Sequence, residues 1–236
     1  MKESRIIKIG GSLLFTEKRT IDTEKIIQFS KILKNSKNPG NYIIICGGGL
    51  IAREYIDAVR SFEGSESLCD IFGIKISRIN AKLIIASLKN LAFPLVPRSI
   101  EELSTAILFN KIIVMGGLQP GQSTTSVALE VAEFTGAKEL VILTDVPGIY
   151  DKDPKKFDDA ILLRHLTFDQ LQELILKNSN NMQAAAGEYR IFDAVSLQLL
   201  KRSKIKIIVL SGKDLIEFKK YWNGKNDIFG TTISND

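Results

Sequence analysis

Gln119-Pro120-Gly121-Gln122-Ser123-Thr124 follows the apolar run Ile112-Ile113-Val114-Met115 and the pair Gly116-Gly117, and precedes a helix-like run from Ser126 to Phe134. A buried strand, a Gly-rich turn and a helix N-terminus, in that order, make an anion cradle. The first backbone N–H groups of the helix lack partners, and its dipole favours negative charge. Two more such turns occur. Gly47-Gly48-Gly49 follows Tyr42-Ile43-Ile44-Ile45-Cys46, and Gly10-Gly11-Ser12 follows Arg5-Ile6-Ile7-Lys8-Ile9. Three of them in one short α/β chain predict a site where several phosphates meet.

Around these turns, short runs rich in β-branched residues recur at Ile6–Ile9, Tyr42–Cys46, Phe93–Val96, Ile112–Met115, Leu140–Leu143 and Ile205–Leu210. They read as parallel strands buried on both faces. Helical patterns lie between them. Thr23 to Leu33 carries Ile26, Ile27, Ser30 and Leu33 on one stripe, and Leu50 to Phe62 carries Ile51, Tyr55, Ala58, Val59 and Phe62. A long helix is expected from Asp70 to Asn90, opened by Asp70. Further helices are expected from the capping box Thr167-Phe168-Asp169-Gln170 to Leu176, over Ile191–Ser203 and over Leu215–Trp222. Alternating strands and helices imply a mostly parallel sheet covered on both faces. Lys177 to Gly187 reads as a loop running into a helix or turn. With no Pro-, Gly- or Ser-rich linker and no repeat, the 236 residues read as one continuous domain with two lobes.

Composition excludes several classes. Hydrophobic residues make up 44%, enough for a core. The net charge of +5, without a dense Lys/Arg run, does not argue for nucleic-acid binding, though it suits anionic substrates. Two cysteines, Cys46 and Cys69, give no disulfide framework or zinc spacing, and Cys46 is expected in the core. A single histidine, His165, makes no His cluster. No signal peptide or membrane-length apolar run is evident, so a cytoplasmic protein is expected.

No G-x-x-x-x-G-K-[ST] or G-x-S-x-G motif occurs, and Gly47-Gly48-Gly49 lacks the spacing of a dinucleotide fingerprint. Lys8 lies inside an otherwise apolar strand. An edge lysine reaching solvent would account for it, but the glycines that follow favour an anion. An ammonium there suits a transferring phosphoryl group. Leu143-Thr144-Asp145 ends another strand, where carboxylates of open α/β sheets face the ligand crevice. Asp151 reads as a turn former.

Taken in order, Lys8-Ile9-Gly10-Gly11-Ser12, Gly47-Gly48-Gly49, Gln119 to Thr124, Thr144-Asp145-Val146-Pro147-Gly148-Ile149-Tyr150-Asp151-Lys152-Asp153-Pro154 and Gly230-Thr231-Thr232-Ile233 resemble the amino acid kinase superfamily. Within it they are most similar to the archaeal-type uridylate kinases. Asp70-Ile71-Phe72-Gly73-Ile74, Arg78-Ile79-Asn80-Ala81, and Gly187-Glu188-Tyr189 with Asp193 strengthen the likeness, which spans almost the whole chain.

The resemblance implies a three-layer α/β/α sandwich with a mostly parallel central sheet. An acceptor-binding lobe would cover about 1–135 and an ATP-binding lobe about 136–236. It implies that Lys8, Ile9, Gly10, Gly11, Ser12, Gly49 and Arg53 contact ATP phosphates. Thr144, Tyr150 and Asp153 would contact its base and ribose. Gly48, Asp70, Leu118, Gln119, Pro120, Gly121, Gln122, Ser123 and Thr124 would contact UMP. Lys8 and Asp145 would serve catalysis around Mg²⁺, by positioning and charge stabilisation. The partners implied are ATP, UMP and further copies of the chain, as a hexamer built from dimers, with no nucleic acid or membrane.

Three positions depart from the family pattern: Ser12 replaces a frequent lysine, Thr125 a frequent aspartate, and Gln183-Ala184-Ala185-Ala186 a Val-Lys-Ala segment. These losses remove charge near the site. They leave open a slow enzyme, an altered acceptor or a non-catalytic nucleotide- or oxyanion-binding paralogue, since the superfamily also resembles molybdenum storage proteins. Isopentenyl phosphate as acceptor is disfavoured, because Cys46 stands where relatives using it carry His before the glycines.

Overall fold

A computed structural model of the protein describes residues 4–35, 41–154, 156–178, 191–225 and 227–235. The segment 177–187 expected to be a loop lies largely outside the described residues, as does the Gln183–Ala186 departure.

Seven strands form the central sheet: β1 (Ser4–Ile9), β2 (Asn41–Cys46), β3 (Ile113–Met115), β4 (Glu139–Thr144), β7 (His165–Leu166), β8 (Lys206–Ser211) and β9 (Gly230–Ile233). Their order across the sheet is β3-β2-β1-β4-β8-β9-β7. The first five in that order run parallel; β9 is antiparallel to β8, and β7 runs parallel to β9. A separate two-stranded ribbon pairs β5 (Ile149–Tyr150) with β6 (Leu162–Leu163).

Period-two alternation divides the apolar runs between two cores. Ile6, Leu140, Ile142, Ile207 and Val209 face one side, where α4 (Ile100–Ile107), α5 (Thr124–Thr135), α6 (Phe168–Asn178) and α7 (Ala194–Ser203) contribute buried residues. Ile7, Ile9, Val141, Leu143, Ile208 and Leu210 face the other, covered by α1 (Thr23–Lys34), α3 (Glu66–Leu88) and α8 (Ile216–Trp222). The expected three-layer sandwich is therefore what forms. Each fully buried Ile, Leu or Val contributes roughly 1.5–3 kcal/mol.

Several expectations change at the level of elements. Phe93–Val96 is not a strand: Ala92 makes one isolated bridge to Ile112, and Pro94 and Pro97 remove the N–H groups a ladder needs. α3 begins at Glu66 under a Ser65 cap, so Asp70 lies in its second turn and does not cap it. α2 (Gly49–Ser61) buries Ala52, Ile56 and Val59 and leaves Tyr55 48% and the following Phe62 79% exposed, so of the apolar stripe read from the sequence only Val59 is buried. In α1 Phe29 joins Ile26, Ser30 and Leu33 on the buried face, while Ile27 is exposed. The Thr167–Gln170 capping box forms as expected, with reciprocal bonds of 2.9 and 3.1 Å. No helix among the described residues is long and apolar enough to cross a membrane.

Candidate active site

The strand order reverses beside β1: the chain passes from β1 to β2 and β3 on one side, then resumes with β4 on the other. Ligands of open α/β sheets lie at the carboxyl ends of strands at such a switch point. Here the ends are tied together. Gly10 N–H donates to Leu143 O at 2.9 Å, Gly47 N–H to Ile9 O at 3.0 Å, and Gly212 N–H to Thr144 O at 2.8 Å.

Two of the Gly-rich turns interlock backbone against backbone. A Cβ on Gly11 would stand 2.3 Å from Gly49 N and 2.4 Å from Gly47 O. A Cβ on Gly49, whose φ is +71°, would stand 2.4 Å from the Gly11 carbonyl carbon. No other residue fits either position, and the backbone beside α2's N-terminus stays open to a ligand.

α3 fastens the turns from one flank. Asn80, buried, donates through Nδ2 to Gly47 O at 2.8 Å and Gly48 O at 3.1 Å. Ser77 Oγ accepts from Gly117 N–H at 2.8 Å. Arg78 donates to Gly117 O at 3.0 Å and Leu118 O at 3.1 Å. Burial lowers the Arg78 guanidinium's proton affinity first, with Arg98 adding to it. Nearer the helix start, the Asp70 carboxylate accepts from Gly121 N–H at 2.8 Å and so holds the third turn, where Gly121 has a φ of +79°.

From the opposite flank, Asp193 gathers two helix N-termini. Its Oδ2 accepts from Ser123 N–H at 3.1 Å, and its Oδ1 accepts from Ser126 Oγ at 2.7 Å and Ser196 N–H at 2.6 Å. Ser123 caps α5, and Asp193 caps α7 through a full capping box. Burial pushes the Asp193 carboxyl up, but the bonds from Ser126, Ser123 and Ser196 outweigh it and hold the group below its ordinary range.

The result is a crevice of about 400 Å³ lined by backbone from all three turns. Lys8 reaches it from β1, between Ile45 and Ile142 of the flanking strands. That apolar setting lowers the Lys8 ammonium from 10.5 to about 8 by desolvation, with the charge of Asp145 pulling the other way. Backbone donors, helix N-termini and one poorly solvated cation converge on one space. Such an arrangement can hold phosphates and stabilise negative charge on them.

Residues 3–211 match the amino acid kinase family. The chain belongs to that family. It is 38% identical to the uridylate kinase of Methanobrevibacter smithii over 220 residues, covering 93% of this chain and 95% of that protein. It is also 38% identical to the uridylate kinase of Sulfolobus acidocaldarius over 228 residues, covering 96% and 97%. The crystal structure of Archaeoglobus fulgidus uridylate kinase superposes with a TM-score of 0.80 at 31% identity, covering 99% of this chain and 100% of that one. The UMP kinase of Ureaplasma parvum shares the fold, with a TM-score of 0.80 at 23% identity, covering 100% of each chain.

In this amino acid kinase the crevice brings together most of the residues expected there. Lys8, Gly10, Gly11, Ser12, Gly48, Gly49, Arg53, Asp70, Gly121, Gln122, Ser123, Thr124 and Thr144 all line it. Ile9 instead packs in the core beneath, Leu118 packs partly against the other core, and Gln119 and Pro120 face solvent. Tyr150 belongs to the β5–β6 ribbon, and Asp153 stands exposed after it. Thr231 staples that ribbon to β9, accepting from Ile149 N–H at 2.8 Å and donating to Leu163 O at 2.7 Å. Asp151 takes its turn role, accepting from Ile161 N–H at 2.8 Å. Cys46 is buried, its thiol pushed up by desolvation, and His165 is exposed on β7. Thr125, where the family often carries aspartate, is buried at the crevice wall. Ser77, Arg78, Asn80 and Asp193 have no assigned role in the sequence reading. Their signal lies in the Arg78-Ile79-Asn80-Ala81 segment and in an Asp near the start of the Ile191–Ser203 run, where the helix begins at Ala194 with Asp193 as its cap.

Proposed function

We propose that this protein transfers the γ-phosphate of ATP to UMP, giving UDP in pyrimidine nucleotide synthesis. The reading rests above all on the meeting of three Gly-rich turns and Lys8 in one crevice at the sheet's switch point. Near-full-length likeness to proteins named uridylate kinase supports the choice of acceptor.

In this reading the interlocked turns after β1 and β2 hold the ATP phosphates, with Arg53 beside them, and Thr144, Tyr150 and Asp153 take the base and ribose. The turn before α5, with Gly48 and Asp70, holds UMP. Residues 1–135 then form the acceptor lobe and 136–236 the ATP lobe. Lys8 lies between the two phosphate sites and neutralises charge as the phosphoryl group moves, while Asp145 orients Lys8. Little covalent chemistry is asked of the protein. The divalent cation, Mg²⁺ in this proposal, would be held mainly by the nucleotide phosphates, with Asp145 as the carboxylate nearby. Bound there, Mg²⁺ would supply charge neutralisation. The exposed Tyr55, Phe62, Leu68 and Ile71 on and beside α2 and α3 support self-association, with a hexamer built from dimers as the proposed assembly.

The test is UDP formation from Mg-ATP and UMP by wild type and Lys8→Ala. Wild type should turn over, and a folded Lys8→Ala protein should lose roughly 10²–10³ in rate. Unchanged turnover in Lys8→Ala would remove Lys8 from the mechanism.

A further inference from the structure

The turn after β2 has a geometry that its glycines permit but do not enforce. Gly48 is right-handed helical, with φ −77° and ψ −34°, and Gly49 follows with a left-handed φ of +71°. A right-handed residue before a left-handed one turns successive backbone N–H groups into one concavity, which suits an anion. Gly48 and Gly49 line the crevice, and neither N–H donates to a backbone carbonyl among the described residues. Glycine reaches many other conformations at little cost, so a neighbour must select this one.

Asn80 of α3 is that neighbour. Its Nδ2 carries two hydrogens and donates to Gly47 O at 2.8 Å and Gly48 O at 3.1 Å. Carbonyl oxygens only accept, so the amide must turn its NH₂ group, not its oxygen, toward them. No peptide bond among the described residues is cis. In a trans peptide the C=O and N–H point opposite ways. The Gly47 carbonyl shares its peptide plane with the Gly48 N–H, and the Gly48 carbonyl shares its own with the Gly49 N–H. Drawing both carbonyls toward α3 therefore aims both N–H groups away from it. A flipped peptide would instead turn a carbonyl oxygen toward a phosphate. Asn80 is 2% exposed and is not among the residues lining the crevice, so it acts only through these two peptides.

The proposed function gives Gly48 to UMP and Gly49 to the ATP phosphates, so the two N–H groups flank the path between them. Resting on that reading, we propose that Asn80 is a positioning residue that holds the Gly48 and Gly49 N–H groups as donors to the phosphoryl group in transfer. Donors fixed in advance where charge develops act on the transition state more than on the bound substrates.

The experiment measures kcat and both KM values for UDP formation in full-length wild type, Asn80→Ala, the near-isosteric Asn80→Asp and Ile84→Val, each well below its own Tm. Ile84, buried on the same helix, shows what lost packing alone does. Asn80→Ala should lower kcat roughly 10²-fold while each KM changes by less than about threefold. Asn80→Asp should lose at least as much, because its carboxylate repels both carbonyls. Ile84→Val should lower Tm and keep kcat. A kcat loss below about tenfold in both Asn80 variants, or a loss carried by the KM values, would leave Asn80 a packing role and overturn the proposal. A second measurement needs no variant. In wild type the ¹⁵N–¹H resonances of Gly48 and Gly49 should shift when ADP, UMP, Mg²⁺ and aluminium fluoride, a mimic of the phosphoryl group, are added together. Resonances that stay in place overturn the proposal whether or not the variants fold. A wild type that forms no UDP defeats the functional reading and this proposal together. A working wild type whose kcat survives both Asn80 substitutions defeats this proposal alone.

Discussion

Lys8 shows how one residue's environment sets its chemistry. Flanked by Ile45 and Ile142, its ammonium falls to about 8, a lowering that desolvation drives and Asp145 opposes. At pH 7 it still carries its proton in most molecules, so under the proposed function it would act as a cation toward phosphate. Its folded value lies below its ordinary 10.5, the reverse of a lysine that gains a partner. Between about 8 and 10.5 the folded state therefore holds fewer protons than the unfolded chain. The burial penalty is fully present below 8 and is relieved as pH rises through that window. Activity moves in the opposite sense. The pH profile of kcat/KM, which reports the free enzyme, should show a basic limb near pH 8. Lys8→Arg, charged throughout, should lack that limb whatever its absolute rate. A limb at the same pH in Lys8→Arg would assign it to another group. The place of Lys8 at the crevice was legible from sequence, because a lysine in an apolar strand running into glycines points to the strand's ligand end. Asp70 was only half legible: a helix start at Glu66, under Ser65, leaves it free of capping and available to the turn.

Among the strands and helices, the β-branched runs and the helix caps read well because their causes are local. Thr167–Gln170 and the runs in β1, β2, β4 and β8 carry their own signals. What failed to read was fixed by partners distant in sequence. The buried face of α2 is chosen by α3, which takes Ile56 and Val59 against Cys69 and leaves Tyr55 outside. β7 and β9 are short, and the sheet's outer end recruits them by pairing. The joint between α5 and α7 is of the same kind, since Asp193 lies 70 residues from Ser123. Replacing Asp193 with Ala removes a cap worth ~1 kcal/mol and strips partners from Ser123 and Ser126. We expect a stability loss of about 1–3 kcal/mol, seen as a Tm several degrees lower, and a KM for UMP raised more than the KM for ATP. Equal rises in both KM values, at the same lowered Tm, would give Asp193 a purely structural role.

Across the molecule, the order of motifs along the chain was enough to read the architecture, and the crevice then collected residues from β1, α2, α3, α5 and α7. Two of the departures from the family pattern, Ser12 and Thr125, fall among the residues that line the crevice. Both are neutral, so under the proposed function Lys8 and the backbone donors would carry more of the anion's stabilisation. The decisive experiment is kcat/KM with Mg-ATP across UMP, CMP, AMP, GMP and isopentenyl phosphate. UMP should lead CMP and stand well ahead of AMP, GMP and isopentenyl phosphate. A wild type that phosphorylates AMP as well as UMP, or favours isopentenyl phosphate, would refute the uridylate kinase assignment.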